Sequence, residues 1–261
     1  MTARSAGQAD HAAIAEMLDA AAQSAKAAPL FPGPHPTTLG DAYRIQEHVI
    51  GLRTSRGDAF AGVKVGLTRR EKWAVCGADD VIVGILTRSM LHQGEVDIAL
   101  DSLIAPMVEP EIAFRLSRSI DGPISFEEAR DAIDAMAAAI EVIDTRVAGD
   151  GFDLFQIIAD NSNCAGAVLG SWSEPHERLD ELVGRLEVDG ETVATGHSST
   201  VSGHPLWSVC AAARLATRQG RRLEAGTIVM SGSLAPARRV HRGQRVTCRV
   251  TACAPACLRL V

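Results

Sequence analysis

Long apolar runs are missing from this sequence. Stretches such as VIVGIL at 81–86 fall far short of the roughly 20 apolar residues that a membrane-spanning helix needs. The N-terminal segment MTARSAGQADHAAIAEML also lacks the continuous apolar core of a secretory signal peptide. These absences predict a soluble protein of the cytoplasm.

Several functional signatures are absent too. The chain has no C-x-x-C pair, no glycine-rich phosphate-binding fingerprint and no G-x-S-x-G motif. This argues against a zinc site, a nucleotide-binding fold and an α/β-hydrolase. The six cysteines lie among Val, Ala and Leu, a setting typical of buried free thiols, so we assign them no chemistry.

Positive charge is scarce as well. The formal net charge is −6, and the arginines are scattered apart from Arg238, Arg239 and Arg242. Binding to nucleic acid or to an anionic membrane is therefore disfavoured.

The chain is nevertheless long enough to fold around a substantial core. Its 261 residues are 46% hydrophobic, which suits one large domain or two closely packed ones. Short predicted strands and helices follow one another in an irregular order without a clear linker. That order is typical of an α+β fold, not of a doubly wound sheet.

Two glutamates stand in an otherwise apolar stretch, PMVEPEIAFRL at 106–116. The stretch is typical of a strand, so Glu109 and Glu111, two residues apart, point to the same face. Pro110 then faces away and indicates an edge or a bulge. A third carboxylate, Glu141, lies in a second predicted strand within AAIEVIDTR at 138–146.

Carboxylates on apolar strands need partners, because an unpaired buried charge is costly. Three of them together could bind a hard divalent cation, Mg²⁺ or Mn²⁺, which prefers oxygen ligands. Two other interpretations stay open at this point. The E-x-E pair could lie on a solvated face, and Glu141 could pair with an arginine.

A lysine lies in a third predicted strand, FAGVKVGL at 60–67. Lys64 either extends to water or points into a polar cavity where an anion keeps it charged. Beyond that strand, Thr68 and Glu71 form a capping-box pattern for a short helix that ends at Gly77.

Helices are predicted in the N-terminal part and after the E-x-E strand. Residues 8–27 and a stretch from the capping residue Thr38 to about residue 57 indicate two amphipathic helices, separated by LFPGPH at 30–35. A capping box of Ser125 and Glu128 opens a helix that runs to about residue 138.

The second half of the chain predicts shorter elements. Asp160-Asn161 marks a turn, and Asp189-Gly190 centres a hairpin at 186–195. A helix follows at 204–220, with strands at 227–230 and 245–250. Between those strands, the loop Ser231-Gly232-Ser233 could bind an oxyanion through its backbone N–H groups.

Seven segments, taken in order, resemble a known family. They cover most of the chain, from about residue 39 to about residue 246, and are YRIQ at 43–46, VKVGLT at 63–68, VEPEIAF at 108–114, IEVIDTR at 140–146, IIADN at 157–161, SGHPLWSV at 202–209 and AGTIVMSGSL at 225–234. The family is that of the 2-keto-4-pentenoate hydratases and 4-oxalocrotonate decarboxylases, within the fumarylacetoacetate hydrolase superfamily.

The resemblance implies a fold, a cofactor and a quaternary state. It implies a mixed β-roll core with flanking helices, in which residues 1–58 form a helical segment packed on a catalytic domain of residues 59–261. It also implies a homo-oligomer that binds Mg²⁺ or Mn²⁺ through Glu109, Glu111 and Glu141, the carboxylates already singled out by their strands.

The resemblance further implies a lyase that acts on 2-hydroxy-2,4-dienoate or 2-oxo-enoate acids in aromatic catabolism. Water would be added at C4 to give a 4-hydroxy-2-oxoacid. Lys64 resembles the family's active-site lysine, with Asp160 as a second catalytic candidate. Asn161 and Ser233 resemble positions that contact the substrate.

Two alternatives to a hydratase remain. The phrase HPLWSV resembles the 2-oxo-3-hexenedioate (4-oxalocrotonate) decarboxylases, whereas SGSL resembles the hydratases. A catalytically weak, metal-binding homologue that acts as the partner subunit of a sister lyase is the second alternative.

The chain departs from its relatives in the segment GILTRSML at 84–91. The hydratases typically carry one or two acidic residues there, but Arg88 and Ser89 occupy those places. Arginine cannot act as a base, so His92 or Asp160 would have to serve, or hydration is slow. Arg88 could instead bind an extra substrate carboxylate, unless the loop turns it to solvent.

Overall fold

The computed structural model describes residues 6–29, 36, 38–149 and 153–261. The helices of this part of the chain are α1 (Ala6–Ser24), α2 (Leu39–Ser55), α3 (Trp73–Cys76), α4 (Phe126–Asp131), α5 (Leu154–Ala159) and α6 (Leu206–Arg218). No helix in these ranges combines the length and the apolar character needed to cross a bilayer.

The strands are short, apart from two that carry the glutamates. They are β1 (Phe60–Gly66), β2 (Ile82–Thr87), β3 (Leu91–Gln93), β4 (Glu95–Ile98), β5 (Met107–Leu116), β6 (Ile133–Ile143), β7 (Cys164–Leu169), β8 (Val183–Val188), β9 (Glu191–His197), β10 (Ile228–Met230), β11 (Arg238–Arg239), β12 (Arg245–Val250) and β13 (Ala256–Leu260).

These strands form two sheets. The larger has the order β2-β1-β10-β5-β6-β7-β3, with β11 also paired to β5, and the smaller has the order β4-β13-β12-β8-β9. Most neighbours are antiparallel, whereas β1–β10, β3–β7 and β4–β13 are parallel. Mixed pairing together with separate helices makes this the predicted α+β fold.

One hydrophobic core joins the two sheets, because β12 packs against β5 and β6. Ile112 and Phe114 of β5 meet Leu186 and Val246 of the smaller sheet in this core. Side chains alternate along a strand, so the odd-numbered residues of β5 must point away from the smaller sheet. Both glutamates of the E-x-E pair therefore lie on the opposite face.

A helical layer covers the β2 edge of the larger sheet. Helix α2 packs on α1 and α5, and its buried Gln46 donates from Nε2 to Val83 O of β2 at 2.8 Å and to Ile158 O of α5 at 3.3 Å. As predicted, Thr38 caps α2, and Ile14 and Leu18 form the buried face of α1. The boundary between residues 58 and 59 stays a prediction, and the predicted break at 30–35 lies outside the described residues.

The predicted helix from Ser125 is shorter than expected. The capping box is present, but α4 ends at Asp131 and β6 begins at Ile133. The alanines of β6 are good helix formers, yet each pairs with β5, for example Ala137 with Ala113. Burial between two strands overrides their helical propensity.

The predicted cap at Thr68 was also wrong. A 3₁₀ turn at Arg70–Lys72 leads into α3, which ends at Gly77 as expected. Thr68 is held elsewhere, because its carbonyl oxygen accepts hydrogen bonds from the backbone N–H and the hydroxyl of Ser202 at 3.0 and 3.1 Å.

Pro110 lies neither at a sheet edge nor at a bulge. Strands β10 and β11 pair with β5 on either side of it, at residues 113–115 and 107–108. The connecting loop fills the interval, and Leu234 N donates to Pro110 O at 2.9 Å. The missing N–H of proline thus falls in a gap between two strand pairings, where no ladder bond is lost.

Other expectations agree with the structure. The hairpin around Asp189-Gly190, helix α6 and strands β10 and β12 form where the sequence predicts them. All six cysteines are free thiols, although only Cys164 and Cys248 are buried.

Candidate functional site

Three glutamates gather on the face of the larger sheet that is turned away from the smaller one. The β5–β6 register sets Glu109 directly opposite Glu141, and Glu111 points to the same face two residues along. One carboxylate oxygen from each lies within 4.8 Å of the others. Like charges directly opposite one another destabilise a strand pair, so this arrangement calls for a cation.

Lys64 supplies one positive charge to this group. Its Nζ lies 3.1 Å from Glu141 Oε1, and the register of β1 with β2 places it across from Gly84. A Cβ at Gly84 would lie 3.2 Å from both Cγ and Cε of Lys64 and 2.7 Å from Asn161 O. Glycine therefore leaves the space through which the lysine reaches Glu141.

Burial and charge act in opposite directions on these groups. Burial lowers the pKa of Lys64, but Glu141 and the other acidic neighbours together outweigh it and hold the pKa above its usual value. Burial, reinforced by Glu141, raises the pKa of Glu109 to about 7 and also raises the pKa of Glu111. The carboxylates resist ionisation together unless further positive charge arrives.

The glutamates also have buried carboxylate oxygens whose hydrogen-bonding capacity is not fully used. Glu111 and Glu141 are each only 1% exposed. Glu111 Oε2 accepts from Gly232 N at 2.9 Å, but Glu111 Oε1 has no hydrogen-bond partner in the described chain, and Glu141 Oε1 has only its ion-pair contact with Lys64 Nζ. Buried oxygens of this kind, facing one another, fit a hard divalent cation such as Mg²⁺ or Mn²⁺.

A small cavity of about 220 Å³ opens onto the glutamates. Ser233 lines it, as predicted for a position near the site, and its hydroxyl donates to Ala235 O. Lys64, Glu109, Glu111 and Glu141 line its deep end. The structure thus brings together five of the eight residues singled out from the sequence.

Asp160 lies outside this cavity. Arg146 holds its carboxylate, donating from the backbone N to Oδ2 at 2.9 Å and from Nε to Oδ1 at 2.6 Å. Burial raises the pKa of Asp160 to about 6 in spite of that guanidinium. The Asp160 carboxylate is therefore occupied by its ion pair with Arg146. A catalytic role for Asp160 stays a prediction.

Asn161 also lies outside the cavity and supports strand β2, which forms part of its wall. Its side chain accepts from Ile85 N at 2.7 Å and donates to Ile85 O at 2.8 Å, as an added strand would. The amide thereby fixes β2 next to Gly84 and Lys64. Contact between Asn161 and a substrate stays a prediction.

Arg88 is exposed and does not line the cavity. The next residue, Ser89, is bound through its backbone N and its hydroxyl to Asp58 at 2.9 and 2.6 Å, which fixes this turn away from the glutamates. His92 is exposed as well. Binding of a substrate carboxylate by Arg88 stays a prediction.

Sequence reasoning missed several residues. Arg146, in the quoted segment IEVIDTR, could have been suspected because a buried Asp needs a cation. Arg69 and Lys72 line the cavity together with the glutamates, but only the 3₁₀ turn after β1 brings them there. No sequence periodicity signals that turn.

Comparison with known proteins agrees with this geometry. The sequence profile of the fumarylacetoacetate (FAA) hydrolase C-terminal family matches residues 80–261. A 4-oxalocrotonate decarboxylase from Pseudomonas sp is 38% identical over 91% of this chain and 93% of the relative. A 2-keto-4-pentenoate hydratase from Paraburkholderia xenovorans (strain LB400) is 34% identical over 90% of this chain and 89% of the relative.

Solved structures give the same picture. The 4-oxalocrotonate decarboxylase from Pseudomonas putida G7, complexed with magnesium and adipate, superposes with a TM-score of 0.92 at 28% identity, covering 99% of this chain and 100% of that one. Fumarylpyruvate hydrolase from Pseudomonas aeruginosa, in complex with Mn²⁺ and pyruvate, shares the fold with a TM-score of 0.59 at 15% identity, covering 78% of this chain and 90% of that one. From its profile match, its relatives and its fold, the chain belongs to the fumarylacetoacetate hydrolase family.

Proposed function

We propose that this protein is a divalent-metal-dependent lyase that acts on short 2-hydroxy-2,4-dienoate and 2-oxo-enoate acids, adding water to give a 4-hydroxy-2-oxoacid. The observation that carries the proposal is the group of three facing glutamates beside the buried Lys64, in which Glu111 Oε1 has no hydrogen-bond partner among the described residues. Relatives at 30–34% identity are named hydratases for 2-hydroxyhexa-2,4-dienoate and 2-keto-4-pentenoate.

Glu109, Glu111 and Glu141 would hold the metal, Mg²⁺ or Mn²⁺. Three carboxylates leave about half of an octahedral shell free for a chelating 2-oxo acid. When bound, the ion would polarise the 2-oxo group and stabilise the negative charge that develops on it during the reaction. Two solved structures of the 4-oxalocrotonate decarboxylase from Pseudomonas putida G7, one with magnesium and one with calcium, support a divalent ion.

Lys64 would act on the substrate from the same side as the glutamates. Its Nζ can hold a proton next to an enolate oxygen and stabilise the negative charge that develops there, because the carboxylate of Glu141 helps to keep the ammonium charged in a buried setting. Burial of the Lys64 side chain strengthens that interaction.

A second candidate is decarboxylation of 2-oxo-3-hexenedioate. Apart from the three glutamates, the described residues that line the cavity include no acidic side chain that could activate water. Loss of CO₂ needs no such base, since its electrons pass into the same enolate. The relative with 38% identity carries the decarboxylase name.

The quaternary state and the cellular setting are part of the proposal. We expect a homo-oligomer, with possible association with a sister lyase, in the cytoplasm and in the breakdown of aromatic compounds. Light scattering of the purified chain, alone and mixed with such a lyase, measures both assemblies.

The deciding experiment compares two substrates. Purified protein with Mg²⁺ is incubated with 2-hydroxypentadienoate and with 2-oxo-3-hexenedioate, while loss of ultraviolet absorbance and release of CO₂ are followed. Turnover without CO₂ supports a hydratase, and stoichiometric CO₂ supports the decarboxylase. Turnover of neither substrate contradicts the lyase activity and favours the alternative of a metal-binding partner subunit. The Glu141→Gln variant, which lacks one of the proposed metal ligands, is the control in each assay.

A further inference from the structure

Two cationic side chains, Arg69 and Lys72, stand at the mouth of the glutamate cavity. Lys72 is exposed and Arg69 is half-buried, whereas Glu111, Glu141 and Lys64 are buried. The cavity is therefore graded from an acidic deep end to a basic entrance.

Neither cation has an ionic partner among the described residues. The turn that carries them includes Glu71, but no ion pair joins Glu71 to either one. Arg69 is held in place by one bond, from Nη2 to Leu234 O at 2.9 Å. Its remaining N–H groups stay available, and a guanidinium presents them in a geometry that suits a carboxylate.

The balance of charge in the cavity indicates which kind of ligand Arg69 and Lys72 would bind. Three ionised carboxylates, the Lys64 ammonium and a divalent ion together are neutral. A 2-oxo acid that enters with its 2-oxo-carboxylate end deepest brings one negative charge to that end. The positive charges of Arg69 and Lys72 then lie near the other end of the substrate, where a monocarboxylic acid has nothing to pair with them.

We infer that Arg69 and Lys72 bind the distal carboxylate of a dicarboxylic 2-oxo acid and so select that substrate class over monocarboxylic acids. The inference rests on the proposed function, since it requires the 2-oxo end of the substrate to lie at the glutamates. The inference gives Arg69 and Lys72 the role that the sequence had suggested for Arg88, which is to bind an extra substrate carboxylate. The volume of about 220 Å³ is small for a ligand site, which favours a short acid.

The test compares two ligands of equal length that differ only in the distal carboxylate, 2-oxoadipate and 2-oxohexanoate. Their Kd values are measured by calorimetry on the Mg²⁺-loaded protein and on Lys72→Gln, Arg69→Gln and Arg70→Gln variants. Glutamine at 69 can still donate to Leu234 O. Arg70 is the matched control, because it is exposed on the same turn but lies over the Trp73 ring at 5.6 Å.

We expect the wild-type protein to prefer 2-oxoadipate. Lys72→Gln and Arg69→Gln should each weaken 2-oxoadipate about tenfold, as loss of one charge-assisted contact does, and leave 2-oxohexanoate within about twofold. Arg70→Gln should change neither Kd. Equal wild-type affinity for the two acids, or an equal loss in the Arg70→Gln variant, overturns the inference.

A separate measurement keeps this inference apart from the proposed function. Binding of Mn²⁺, followed by electron paramagnetic resonance, is recorded first for every variant. Wild-type protein that fails to bind Mn²⁺ contradicts the proposed function. Wild-type protein that binds Mn²⁺ but does not discriminate between the two acids contradicts the distal-carboxylate site alone.

Discussion

The chain buries charge in two neighbouring places, and the two are built in opposite ways. In the first, Arg146 and Asp160 form a pair in which each is at most 5% exposed. The Arg146 guanidinium also donates to the backbone oxygens of Asp144, Cys164 and Asp160. The nearby Asp144 carboxylate accepts from Ile104 N and Ala105 N at 2.9 and 2.7 Å.

In the second place, acidic groups outnumber their partners. Among the described residues one ammonium, that of Lys64, forms an ion pair with the three glutamates, through Glu141 Oε1, and Glu111 Oε1 lacks a hydrogen-bond partner. The comparison teaches that burial alone does not mark a functional site. A satisfied buried charge holds the scaffold, whereas an unsatisfied one is a place for a ligand.

The largest effect should come from breaking the satisfied pair. Arg146→Met leaves Asp160 buried without a cation, so we expect the free energy of unfolding to fall by about 3–5 kcal/mol. Urea denaturation measures it. Arg259→Met is the control, because the exposed Arg259–Asp97 pair should contribute little to the free energy of unfolding. Equal losses in the two variants would remove the distinction between buried and exposed pairs here.

Lys64→Met tests the ammonium group that lies beside the three glutamates. The ammonium acts mainly where negative charge develops, so kcat should fall about 10²–10³-fold. Binding of a 2-oxo-acid analogue should weaken much less. Steady-state kinetics and inhibition constants on the metal-loaded enzyme separate the two, and equal losses would make Lys64 a clamp for the substrate carboxylate.

Glu111→Gln should shift stability in the opposite direction to Arg146→Met. Removing one of three mutually repelling carboxylates should stabilise the metal-free protein at pH 8 by about 1–2 kcal/mol, while divalent-metal affinity falls. Urea denaturation and calorimetry record the two effects. Glu191→Gln, on an exposed position of β9, is the control and should change neither. A less stable Glu111→Gln protein would contradict the repulsion.

The pH dependence follows from Glu109, whose pKa is raised to about 7 against an ordinary value of 4.5. Between these two pH values the folded, metal-free protein binds more protons than the unfolded chain. The contribution of Glu109 to the free energy of unfolding is therefore lost as the pH rises through 7. Metal binding should release a proton near neutral pH. Thermal denaturation from pH 5 to 8, with and without Mg²⁺, checks this, and identical profiles would rule out linkage to the glutamates.

The smallest effect is expected at Arg88. An exposed side chain without an ion pair among the described residues should tolerate Arg88→Ala within about 0.5 kcal/mol of unfolding free energy. We also expect a KM within about twofold of the wild-type value. A larger rise in KM for the dicarboxylic substrate would restore Arg88 as a carboxylate-binding residue.

Period-two alternation was enough to place Glu109 and Glu111 on one face of a strand, because that inference needs only local geometry. The position of Glu141 opposite them depends on the β5–β6 register, and before the structure only the family resemblance implied it. The same local reasoning extended the helix after Ser125 too far, since alanine propensity carries no information about the β5 partner that Ala135–Ala139 meet. Long-range contacts explain the other differences. Thr68 is held by Ser202, and Asp160 by Arg146.

The β5–β6 pairing has one irregularity, a register shift between Arg115 and Leu116, at the end of β5 that lies farthest from Glu109. Insertions or deletions in the connection at 117–132 can be absorbed at that bulge. A slip of one residue anywhere nearer the glutamates would instead turn Glu141 to the opposite face. Changes of length in the exposed turns around α4 can therefore leave the chemistry fixed in its sheet.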